Sequence, residues 1–413
     1  MSTTPTCADP GADEDLPRRD RLQRTLRRQR VHAPRDALIG ALLSVLLVAL
    51  GQAASAWLSP QPGAGGLVAT HGNEDGAATP VAATGGEPRF SAAMVGDIMF
   101  GRHVEEVTER YGYDAVLEHV APYLDGDYVS GNLEQVVSDR VEELPEADKL
   151  IHLASGPEPL DALREAGFTL LTLANNHTMD HGLPGLTDTI AAVEHAGLDH
   201  VGAGEDLDQA SEIHYEEHDG LIVATLSFTD AYVEGFIARA FQGGALSADP
   251  DRSVRLIQQA RAEADLVIAQ FHWGEEYDLG PNARQRELAE NAAAAGADLV
   301  VGHHPHVLMP VERIGDTIVF YSLGNFVFDQ GWSRTRESAI ARYELGDDGT
   351  ARIELRPVWI REATPRPVEG WNGLYRRARI FQQLRGDGLA WQRAGDVLVT
   401  EVDHGHVLEG DDD

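Results

Sequence analysis

The sequence predicts an α/β domain behind one apolar N-terminal segment, and three observations carry that prediction. From Phe90 onward, short apolar runs alternate with segments of helical period. Residues of metal-ligand type stand where several of those runs stop, the place where an α/β sheet presents its functional groups. Ala37 to Leu58 is an unbroken apolar stretch without a single charge.

In chain order, residues 1–36 are expected to form an Arg-rich cytoplasmic tail, with eight arginines against six acids. The positive-inside rule then keeps this end in the cytoplasm and exports the bulk of the chain. Residues 37–58 span about 33 Å as a helix, enough for a bilayer core, and Trp57 stands near the outer end, where an interfacial aromatic belongs. The segment reads as a retained transmembrane anchor, because both the basic region and the apolar run are long for a leader; the small residues 53–56 offer a cleaved signal peptide as the alternative. Residues 59–88, rich in Gly, Ala, Thr and Pro, read as a flexible linker. The exported domain is then 89–413.

Within it, strands are expected at 91–96, 168–174, 221–228, 265–271, 298–302 and 317–322. Helices are expected near 101–110, 157–166, 184–196, 251–263, 283–296 and 372–385. Later strands near 338–345 and 352–360 alternate polar with apolar and read as antiparallel and half exposed. The acidic end, Glu409 to Asp413, reads as disordered.

Composition narrows the function. The chain carries 33 Lys+Arg against 67 Asp+Glu, a formal net charge of −34, which excludes nucleic acid as a partner held by phosphate attraction. Cys7 is the single cysteine, so neither a disulfide framework nor a thiolate zinc site is available. Lys149 is the single lysine. A carboxylate-rich, lysine-poor surface suits salty surroundings, where screening weakens self-repulsion; high genomic GC, which favours arginine over lysine, is the alternative.

The polar residues at the run ends are Asp97, Glu134, Asn175, Asn176, His177, His272, His303, His304, His306 and Asn325. Singly, each also fits an ordinary part: a cap, a turn or a bonded core imidazole. His304-Pro305-His306 is the sharpest signal, two imidazoles on one side of an extended segment stiffened by proline. Together they form a mixed nitrogen and oxygen donor set without thiolate, which suits one or two divalent transition metal ions (Mn, Zn or Fe) and hydrolytic chemistry.

The wording and order of MVGDIMFGR (94–102), GNLE (131–134), LANNHTMDHG (173–182), GAG (202–204), FHWGEEY (271–277), GHHPHV (302–307) and YSLGNFVFD (321–329) go further. The exported domain resembles the CapA family of capsule and poly-γ-glutamate synthesis, within the calcineurin-like metallophosphoesterase superfamily. The resemblance implies a four-layer α/β/β/α sandwich with the motifs on loops at one edge. It implies Asp97, Glu134 and His306 around one metal, and Glu134, Asn176, His272 and His304 around a second. His177 takes the place of the histidine that assists phosphoryl transfer. Three departures stand out: Asp97-Ile98-Met99 replaces an Asp-x-His opening, the bridging Asp is a Glu, and Thr178-Met179-Asp180 replaces the acid expected after the Asn-His pair. Arg102, Asn175, Glu275 and Asn325 are candidates for substrate contact, and Glu275 or Glu276 for orienting His272. Trp273 and Phe326 read as packing.

Three functions fit these residues. One is a membrane-anchored, metal-dependent, hydrolase-like protein acting on an anionic surface polymer, beside other capsule-synthase membrane subunits. The second is a non-catalytic scaffold of a polymer synthase complex. The third is an extracellular metallophosphoesterase.

Overall fold

The computed structural model describes residues 87–409. The expected tail (1–36), apolar span (37–58), linker up to residue 86 and acidic end (410–413) lie outside the described residues. Among the described residues, no helix is long and apolar enough to cross a membrane.

Two mixed sheets organise the domain. The first contains β1 (Phe90–Ile98), β2 (Tyr128–Leu133), β3 (Leu170–Thr172) and β4 (Asp199–Val201) as parallel neighbours. The second contains β5 (His214–His218), β6 (Leu221–Thr229), β7 (Leu266–His272), β8 (Leu299–His303), β9 (Val311–Ile314) and β10 (Thr317–Phe320), with β6, β7, β8 and β10 parallel and the two edge strands antiparallel. The chain then returns to the first sheet. β11 (Asn325–Val327) pairs with the end of β1, and β12 (Glu337–Leu345) and β13 (Thr350–Arg361) add antiparallel to its other side, followed by β14 (Thr364–Pro367), β15 (Gln392–Ala394) and β16 (Val397–Asp403).

The expected helices form as α1 (His103–Tyr111), α2 (Glu158–Glu165), α3 (Gly182–His195), α4 (Pro250–Glu263), α5 (Ala283–Ala295) and α6 (Leu374–Leu384). Local chemistry explains their starts. Asn282 and Gln285 form a reciprocal capping box ahead of α5, and Asp249 accepts from the Arg252 N–H with Pro250 in the first turn of α4. Three apolar cores separate the layers. Met94, Tyr128 and Leu170 of the first sheet meet Ile268, Val301 and Phe320 of the second. The outer face of the first sheet packs on α1, α2 and α3 through Val104, Leu163 and Leu186; that of the second packs on α4 and α5 through Ile257 and Leu288.

Two expectations change. β12 and β13 are antiparallel as expected, with one face buried, but their polar face is less exposed than the alternation suggests. Ala339, Ala341 and Tyr343 lie between the sheets, and the polar residues of the other face join an ion-paired ladder of Arg342, Glu344, Arg352, Glu354 and Arg356. β2 had no counterpart among the expected strands, because Ser130, Gly131 and Asn132 carry low strand propensity; burial on both faces overrides it.

Candidate metal centre

The parallel strands end together, and the ligand-type residues gather at those ends. Asp97 is the penultimate residue of β1, opposite Asn132 of β2 and Asn325 of β11. Glu134 follows β2, and His272 ends β7 beside His303 of β8. Glycine permits the close approach of backbones there. A Cβ on Gly96 would sit 1.7 Å from the Gly324 carbonyl oxygen, and one on Gly302 would sit 2.1 Å from that of Tyr321. Backbone strain gathers here too. Among the described residues, four of the seven non-glycine residues with positive φ are Arg102, Tyr277, His304 and His306, each costing on the order of 1–3 kcal/mol that the surrounding structure must offset. The Tyr277 N–H donates to the Pro305 carbonyl at 2.8 Å and ties one strained loop to the other.

The six proposed ligands converge. Glu134 is fully buried, and neither carboxylate oxygen has a hydrogen-bond partner. Its Oε1 is ringed at longer range by imidazole nitrogens: His272 Nε2 and His306 Nε2 at 3.8 Å and His177 Nε2 at 3.9 Å. One donor atom each from Glu134, His272 and His304 lies within 4.8 Å of the others, and the same holds for Asp97, Glu134 and His306. Asn176 Oδ1 is 2.8 Å from His272 Nε2. The two sets share Glu134 and match the two ligand groups expected from the resemblance.

These residues fit a divalent transition ion. Removing an ionised carboxylate from water costs several kcal/mol unless it is paired, and Glu134 has no donor at hydrogen-bond range. Burial raises its pKa well above the ordinary value. Burial also lowers the imidazoles: His272 well below its usual value, His303 and His304 to about 4, and His177 in spite of Asp180. Their lone pairs are therefore free at neutral pH, as metal ligation requires. His306 goes the other way. Burial lowers it, but Glu134 and Asp97 outweigh that and push it up to about 9. Asp97 is raised by burial, yet His306, His303 and Asn132 bring it below its ordinary value.

A second layer of side chains holds the ligands. Asn132 donates to Asp97 Oδ1 at 2.8 Å, and the same Nδ2 lies 3.2 Å from His272 Nδ1. Asn325 Oδ1 lies 2.8 Å from His306 Nδ1, and Gln270 Oε1 lies 3.0 Å from His303 Nε2. Asn175 is buried and turned to the protein itself: it donates to Asn132 Oδ1 and the Leu133 carbonyl and accepts from the His177 N–H. Arg102 pairs with Asp329 beside the Phe328 ring. Glu275 and Glu276 are exposed, and Asn132 faces the far nitrogen of His272. Trp273 and Phe326 are fully buried in cores. Met99, where the Asp-x-His histidine would stand, is buried among apolar residues.

The motif comparison suggested that His177 lacks an acid. Asp180 supplies it, three residues on and fully buried, with Oδ2 2.6 Å from His177 Nδ1. Sequence reasoning also passed over Lys149. Its Nζ contacts Asp180 Oδ1 at 2.6 Å, the Asn176 carbonyl at 2.8 Å and His177 Nδ1 at 3.2 Å. Three contacts converging on one nitrogen suit a compact ammonium and not a planar guanidinium. The signal was in the composition, since this is the one position where lysine replaces arginine.

Comparison with known proteins identifies the family. The chain is 47% identical over 330 residues to the capsule biosynthesis protein CapA of Bacillus anthracis, covering 78% of this chain and 80% of that one. It is 44% identical over 335 residues to the PGA biosynthesis protein CapA of Bacillus subtilis, covering 81% and 88%. Among solved structures, the NAD nucleotidase of Haemophilus influenzae is similar with a TM-score of 0.41 and 11% identity, over 73% of this chain and 57% of that one. Residues 91–330, which hold every ligand described above, match the family of bacterial capsule synthesis proteins PGA_cap, and the chain belongs to that family.

Proposed function

We propose that the chain is a metal-dependent, membrane-anchored protein acting outside the cell membrane in the synthesis, export or processing of an anionic capsule polymer of the poly-γ-glutamate type. One observation carries the metal dependence: Glu134, buried with both oxygens unpaired and ringed by imidazoles, is a carboxylate that needs a cation. The names of the two Bacillus relatives support the polymer. The uncharged run 37–58 behind an arginine cluster supports the anchor and the outward orientation.

Glu134, His272 and His304, with Asn176 beside them, would hold one ion, and Asp97, Glu134 and His306 a second. A bound Mn, Zn or Fe ion would supply Lewis acidity toward a carbonyl or phosphoryl oxygen. The chain's own contribution is proton handling at His177. Asp180 holds its Nδ1, Lys149 holds Asp180, and Nε2 is left facing the centre for general acid or base work. The layered fold with its ligands at one strand-end edge supports hydrolase-like chemistry of the metallophosphoesterase type.

The test uses cells that make the polymer and carry the full chain, either unchanged or as His272→Ala/His304→Ala. Loss of bound metal together with loss of surface polymer, at equal protein level, is expected. A second reading, a non-catalytic scaffold that works beside other membrane subunits of the synthase, draws on Met99, which leaves one expected ligand missing. Variants that lose metal yet still make polymer would establish it. Neither reading holds if the unchanged chain binds no metal and its deletion leaves the polymer intact.

A further inference from the structure

A second cluster of ligand-type side chains lies on the seam where the edge strands of the two sheets meet. β5 reads His-Tyr-Glu-Glu-His, so the period of two puts His214, Glu216 and His218 on one face. The His218 ring lies 5.4 Å from Phe90, which belongs to the core between the sheets, so this face turns toward the first sheet. From that sheet comes Asp199, at the start of β4. His214 Nε2 is 2.8 Å from Glu216 Oε1 and 3.8 Å from Asp199 Oδ2, and the second Glu216 oxygen is 3.0 Å from His218 Nε2. One donor atom each from Asp199, His214 and Glu216 lies within 4.8 Å of the others.

We propose that Asp199, His214 and Glu216 form a separate binding site for a divalent transition metal ion of the zinc class, clamping the edge of one sheet to the edge of the other. One imidazole and two carboxylates are a nitrogen and oxygen set that zinc accepts. Among the described residues, the ion-pair partners of Asp199 and Glu216 are histidines alone, with no arginine or lysine on either carboxylate. His218 grips the other oxygen of Glu216 and orients it, the role a histidine-bound carboxylate has beside many metals. The Asp199 side chain is 59% exposed, so an ion can enter and complete its coordination with water.

The site is independent of the centre around Glu134, and the experiment separates the two. The full chain in detergent is stripped with chelator and equilibrated with zinc chloride. Bound zinc is counted by mass spectrometry of the desalted protein, and Tm is recorded with and without zinc. His214→Gln and Asp199→Asn are expected to hold one zinc fewer than the unchanged chain and to lose part of the zinc-induced rise in Tm. His272→Ala keeps that ion, and His272→Ala/His214→Gln holds one fewer than His272→Ala alone. Asp199 is mostly exposed, so its variant tests the site without a buried substitution. Equal zinc content in the unchanged chain, His214→Gln and Asp199→Asn overturns the proposal.

Discussion

The two sides of Glu134 are built from the same residue types and have opposite electrostatics. On one side, His272 and His304 are neutral imidazoles: both fall far below the usual histidine value, since burial disfavours their charged forms. On the other, His306 stands between Asp97 and Glu134, and the two carboxylates push it up to about 9. Without an ion, the second side therefore keeps a proton where a cation would sit. Burial alone does not prepare a metal site; the number of carboxylates around each imidazole decides whether its lone pair is free. The His272 side is poised for an ion, and the His306 side must first release a proton.

The largest expected effect removes the contrast altogether. Glu134→Gln takes the shared charge from both sides, and metal counted on the stripped and reloaded protein should fall to none at this centre. Two ions persisting there would mean that Glu134 is not the bridge.

The next effect sharpens the asymmetry. Because the His306 proton competes with an ion, the metal content of this centre should be lower near pH 7 and rise as pH passes about 9. The sign is that of a raised histidine pKa: the proton and its ion pairs are held below that value and lost above it. His306→Ala should abolish the rise and leave the His272 side loaded. A flat metal content from pH 6 to 10 would break the comparison.

Asn132 touches both sides, bonding Asp97 and lying beside His272. Asn132→Ala should weaken metal binding by about 10–100-fold, the usual cost of losing a residue that orients ligands, as read by competition with a fluorescent chelator. An unchanged affinity would show that packing alone orients both ligands.

The smallest effect is local. Lys149→Arg keeps the charge but cannot converge on Asp180, the Asn176 carbonyl and His177 together. It should cost about 1–2 kcal/mol in urea unfolding and weaken only the His272 side, where Asn176 stands. Equal stability and binding in the arginine variant would show that the site needs a charge there and not the shape of an ammonium.

Much of this centre was legible in the sequence, because its ligands stand at the ends of apolar runs and parallel strands present their ends together. Asp97, Glu134, Asn176, His272, His304 and His306 could be named from that pattern and from the family motifs. What escaped was the layer behind them. Asn132 lies inside a strand whose serine, glycine and asparagine hide its period. Asp180 stands off the spacing that the motif gives the acid; a hydrogen-bonded turn over residues 177–180 brings it onto the His177 ring. The polar face of β12 and β13 is less exposed than their alternation suggests, because its charges pair along each strand and, through Arg352 and Glu344, across the two, which a one-dimensional pattern does not show.

The path of the chain through the first sheet has a consequence for assembly. β1 is among the first elements made, yet its antiparallel neighbour β12 arrives only after the whole second sheet. Asp97 and His304, which meet in the finished centre, are separated by 207 residues. Contacts of such long range form late and slowly, so a nascent chain carries a central strand with one open side until its last third emerges. An ion at this centre would therefore be held only once the chain is nearly complete, and a truncation before β12 should yield an aggregating chain instead of a smaller working one.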